Sequence, residues 1–178
     1  ADFLICADAQ ELGRKMLANN QYLTTLPAEL YAHPVWQQIH NFSEQWNNQD
    51  SPLYDGVNNI WLEFDIDESP VNIPVPSCFF GPQAIYSDSD SQWTINTALK
   101  LLQNRDVPQV IASKLLNCFE LLPDDAYIFQ IGVMLARKSD LVRICIRDIS
   151  PEAIVKYLAA LNWSGSFDAL QQTLNKLS

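Results

Sequence analysis

The sequence is short of positive charge, of glycine and of long apolar runs. Lys and Arg total 11 against 21 Asp and Glu, for a formal net charge of −10. A surface of that sign is repelled by phosphate backbones and by anionic lipid, which argues against nucleic acid and membrane surfaces as partners. No apolar run approaches the roughly 20 residues a membrane span needs. Only five glycines occur, and there is no G-x-S-x-G, P-loop or G-x-G-x-x-G. Motifs for acyl, phosphoryl or dinucleotide chemistry are thus missing. The apolar patch in "ADFLICADAQELGRK" has no basic region before it, so it does not read as a secretory signal.

Cysteine is also sparse. Cys6, Cys78, Cys118 and Cys145 lie in "LICA", "SCFFG", "LNCFE" and "RICIR". None has another at metal-ligand spacing, and the apolar flanks predict reduced, mostly buried thiols in a cytoplasmic protein. His33 and His40 lie seven apart, two helical turns, too far to share an ion. Asp88 and Asp90 lack the glycine and terminal glutamate of an EF-hand loop. No metal and no cofactor are expected.

What the sequence does have is 48% hydrophobic residues and 178 positions, enough for one globular domain. Residues 1–27 read as an N-terminal helical segment, on the composition of "ADAQELGRKMLAN". Residues 28–92 read as a first αββ unit: a helix from about 34 to 47, a strand in "NNIWLEFDIDE" and a short strand at 77–81. Residues 93–178 read as a second, ααββαα unit. There "AYIFQIGVML" and "LVRICIRDI" form a hairpin joined by "ARKSD", and Ser150-Pro151 opens a helix. Consecutive short-linked strands predict an α+β fold of two αββα units, an antiparallel sheet of four strands with helices packed on one face. Apolar strands such as "YIFQIGVML" at open sheet edges predict a protein partner, or self-association, through the sheet.

The candidate site grows from "NNIWLEFDIDE". Alternation puts Ile60, Leu62, Phe64 and Ile66 on one face and Trp61, Glu63, Asp65 and Asp67 on the other. In "LVRICIRDI", Arg143, Cys145 and Arg147 share a face. The two runs are charge complements, so neighbouring strands would pair Glu63 and Asp65 with Arg143 and Arg147, with Trp61 covering the arginine stems. If that face lined a groove instead, Glu63 is the best candidate general base and the arginines would hold an anionic group.

The stretches "WLEFD" (61–65), "PSCFFGP" (76–82) and "YLAALNWSG" (157–165) resemble an uncharacterised bacterial family, mostly cyanobacterial. The resemblance implies that the chain is part of a larger protein continuing into further strands. The αββα order is similar, at the level of fold alone, to the aromatic prenyltransferases that close five such units into a barrel. Two readings follow: a non-catalytic binding or interaction domain, or a transferase of the αββα-barrel type acting on an aromatic or peptide substrate.

Overall fold

The computed structural model describes residues 2–9, 12–19, 27–65, 73–83, 85, 87–137 and 141–177. Five strands form one antiparallel sheet in chain order: β1 (Asp2–Asp8), β2 (Val57–Asp65), β3 (Ser77–Pro82), β4 (Tyr127–Val133) and β5 (Val142–Arg147). The α+β class expected from the sequence is the class observed.

The N-terminus departs from expectation. Helix α1 covers only Leu12–Ala18, and Asp2–Asp8 is a strand that pairs with β2 from Asp2↔Asp65 to Asp8↔Asn59. "DFLICAD" is apolar on both faces, so it shows no alternation, and its composition does not separate strand from helix. Tertiary pairing with β2 decides. The sheet therefore has five strands rather than four, and the element order begins with β1.

Between β1 and β2 lie α1, α2 (Ala28–Tyr31), α3 (Pro34–Asn47) and α4 (Leu53–Gly56). Pro34 stands at the first turn of α3, where its missing N–H costs nothing, and the His33 side chain accepts from Val35 N at 3.3 Å. After β3, α5 (Asp88–Trp93) opens with a Ser87–Asp90 capping box. It runs through a π-helical segment (Thr94–Leu99) into α6 (Lys100–Gln103). Helix α7 (Gln109–Glu120) leads to the β4–β5 hairpin. Helices α8 (Pro151–Ala160) and α9 (Phe167–Leu177) follow, with Ser150 and Ser166 side chains accepting from backbone N–H groups in their first turns.

One sheet face carries Ile60, Leu62, Cys78, Phe80, Ile131 and Val133, all in the core with Ile39, Phe42 and Trp46 of α3. Ile95, Ala98, Leu99, Leu102 and Leu115 complete that cluster. The buried Trp46 indole donates to the Val57 carbonyl at 2.8 Å, tying α3 to the start of β2. No helix among the described residues is long and apolar enough to cross a membrane.

Candidate functional site

The strands of the candidate site are not neighbours. β3 and β4 stand between β2 and β5 because each hairpin pairs locally and the two hairpins join through β3–β4. Glu63 and Arg143 nonetheless meet. The register aligns Cys6, Trp61, Phe79, Gly132 and Arg143 in one row across all five strands, on the face opposite the core. Glu63 lies two residues beyond Trp61 on the same face.

Glycine opens the path. A Cβ on Gly132 would stand 2.0 Å from Phe79 Cδ1, so the Phe79 ring occupies the space a side chain there would fill. The Arg143 guanidinium lies over that ring, its Cζ 5.4 Å from the centroid. From there Nη1 donates to both Glu63 oxygens, at 3.0 and 2.9 Å. Glu63 is 9% exposed, so its charge is held largely away from water and balanced by Arg143.

The remaining members are placed differently from expectation. Asp65 pairs with Arg137, in the turn after β4: Nε donates to Oδ2 at 2.9 Å and Nη2 to Oδ1 at 2.7 Å. This side-on, two-bond geometry holds the Asp65 carboxyl below its ordinary range, the Arg137 hydrogen bonds being the largest cause and burial a partial offset. Arg147 is exposed and stacks on Phe129, Cζ 4.2 Å from the ring centroid, instead of meeting an acid. The rings under the two arginines are Phe79 and Phe129, whereas Trp61 is half-buried between Cys6 and Phe79. Asp67 lies outside the described residues.

The cysteines are also corrected in part. All four are thiols rather than disulfides. Only Cys78 is buried, and burial pushes it up to about 12. Cys118 and Cys145 are half-buried and also raised by burial. Near Cys145, Arg143 opposes that rise and Glu63 adds to it. Cys6 is exposed, because β1 is an edge strand and its side chain lies on the face away from the core.

Three further residues are central to this face, and the sequence marks them unequally. Gly132, an isolated glycine inside a strand, carries a usable signal, since such a position marks a close approach of another group. Phe79 and Arg137 carry none, as their roles depend on β3 pairing with β4. No group of three or more His, Cys, Asp or Glu side chains among the described residues is placed to hold a metal ion. Two cavities, of about 540 and 510 Å³, are lined by residues outside the Glu63 row: Ile85, Ser87, Asp88 and Phe119 in one, Arg14, Lys15 and Tyr54 in the other. No protein-family model, curated protein or solved structure matches the chain.

Proposed function

We propose that the chain is a non-catalytic protein-interaction domain that pairs with a second copy of itself along the outer edge of β5. The observation that carries this reading is the position of β5. It ends the sheet, pairs with β4 on one side, and has no further strand beside it among the described residues. An edge of this kind, apolar at Val142, Ile144 and Ile146, is a template for another strand.

Charge and side-chain direction favour one register. Antiparallel self-pairing centred on Ile144 sets Val142 against Ile146 of the second copy, apolar on apolar, and Arg143 against its Cys145. Centring on Cys145 would oppose Arg143 to Arg147, a like-charge pair that disfavours that register. The engagement of Glu63 with Arg143 supports a structural role for the acid over that of a general base. A bacterial setting and a place within a longer chain belong to the same proposal, resting on the "WLEFD" resemblance, as does a cytoplasmic setting, resting on the reduced cysteines.

The test is light scattering of the chain across a concentration range, with the L141C/R147C variant under mild oxidation. A mass rising from 20.2 kDa towards twice that value, with a disulfide between the two introduced positions of different copies, is the expected result. The interface should bury upward of roughly 1,000 Å². A monomer at every concentration overturns the reading. So does a dimer that leaves those cysteines unlinked, since its interface lies elsewhere.

A further inference from the structure

Arg14 is a buried cation with no counter-ion among the described residues. It is 8% exposed, on α1, in a chain whose acids outnumber its bases. Its guanidinium lies between two rings, Cζ 4.8 Å from the Trp46 centroid and 4.3 Å from that of Tyr54. Its Nη2 donates to the Tyr54 carbonyl at 2.9 Å. Its Nε has no hydrogen-bond partner, and no carboxylate among the described residues forms an ion pair with it.

This departs from what burial of a charge requires. A guanidinium taken out of water is ordinarily matched by an anion and has its donors satisfied, at a penalty of several kcal/mol otherwise. The two rings and one carbonyl offset part of that penalty. They supply no negative charge.

The same side chain lines a cavity of about 510 Å³ with Lys15, Asn47, Gln49 and Tyr54. The lining therefore offers two cations and two carboxamides, with no carboxylate among the described residues. The size is that of a metabolite site rather than a crevice for one water. A guanidinium fixed between aromatic planes is pre-organised, so little side-chain entropy is lost when an oxyanion binds it.

We infer that this cavity is a binding site for a small oxyanion, a carboxylate or phosphate group on a metabolite-sized molecule. Arg14 supplies the fixed charge, Lys15 a second and mobile one, and Asn47 and Gln49 the polar contacts to the rest of the ligand. The site is independent of the β5 edge, and either can fail without the other.

Thermal unfolding of the full 178-residue chain, with orthophosphate, citrate and adenosine monophosphate as probes, tests it. Sodium chloride at matched ionic strength is the control. A probe at about 100 times its Kd should raise Tm by roughly 5–10 °C. A response to orthophosphate and adenosine monophosphate marks a phosphate site, and one to citrate alone a carboxylate site. The exposed Lys15→Gln should weaken binding about tenfold without altering the ligand-free Tm. Arg14→Met, which keeps length and loses charge, should abolish the response. The inference is overturned if no probe exceeds the salt control, or if Lys15→Gln and Arg14→Met both leave the shift unchanged. If Arg14→Met does not fold, Lys15→Gln decides alone.

Discussion

Arg143 reaches Glu63 across two intervening strands, one Nη1 donating to both carboxylate oxygens at 3.0 and 2.9 Å. The pair joins β5 to β2 over the heads of β3 and β4, which is possible because Phe79 and Gly132 leave a low, flat path between them. It is a tie across the sheet, perpendicular to the strands, on the face that the helix-packed core does not use.

Removing one partner should therefore cost more than an exposed ion pair is worth. Arg143→Ala leaves Glu63 as an unbalanced, mostly buried charge and uncovers Phe79. The expected loss is about 1–3 kcal/mol, limited because the Arg143 side chain is itself 40% exposed. The double change Glu63→Leu with Arg143→Met should recover most of it, since an apolar pair of similar volume avoids desolvating charge. Urea midpoints of the three variants check this. Coincident midpoints for Arg143→Ala and the parent chain would show that the pair contributes nothing.

Gly132→Ala should be among the most damaging single methyl additions in the sheet. The new Cβ would sit 2.0 Å from Phe79 Cδ1, closer than any real contact, and Phe79 is only 2% exposed, with nowhere free to turn. A loss of about 1–3 kcal/mol is expected, the range for overpacking, towards its upper end because the site has little room to relax. Combining it with Phe79→Leu should return part of that stability. If the double variant is no more stable than Gly132→Ala alone, the clash is not what limits the position.

How far these relationships were legible depends on their range. The β4–β5 hairpin, the α3 start at Pro34 and the Ser150 and Ser166 caps are local patterns, each decided by residues within a turn or two of one another. The complementarity of Glu63 and Arg143 was also readable, because alternation fixes which side chains share a face. Strand order was not readable. It depends on β3 choosing β4 across more than 40 residues, and only that choice separates β2 from β5 and brings Arg137 to Asp65. β1 was hidden because both its faces are apolar. Arg14 was hidden because nothing in "ELGRKML" distinguishes an arginine that turns inward from the lysine beside it that stays in water.

The Asp65–Arg137 pair gives an acid-limb prediction. Asp65 titrates lower in the folded chain than its ordinary 3.8, so the folded state holds its proton less tightly than the unfolded state does. Its contribution is complete above that ordinary value and is lost as pH falls through the lowered, folded value. Both side chains are substantially exposed, so the amount is at most about 1 kcal/mol and shrinks in salt. Arg137→Gln should lower stability at pH 7 by that amount, and the difference from the parent chain should shrink as pH falls below 3.8. A difference that persists unchanged at pH 2 would place the effect of Arg137 outside this ion pair.

The thiols should report the layering of the molecule in order. Thiolate is the reactive form, so rate follows both access and the ease of losing the proton. Cys6 is exposed on the edge strand and should label first. Cys118 and Cys145 are half-buried with raised pKa values, and should label slowly. Cys78 lies fully inside the core at about 12, so at pH 8 only about one molecule in 10⁴ carries its thiolate even before access is considered. It should label only through the unfolded fraction of the chain. Time-resolved labelling with peptide mapping separates the four sites. Urea below the unfolding midpoint should speed Cys78 in proportion to the unfolded fraction while leaving Cys6 nearly constant. If Cys78 labels at the rate of Cys118 in native buffer, the β2–β3–β4 centre opens locally and is not the rigid middle of the sheet that its burial implies.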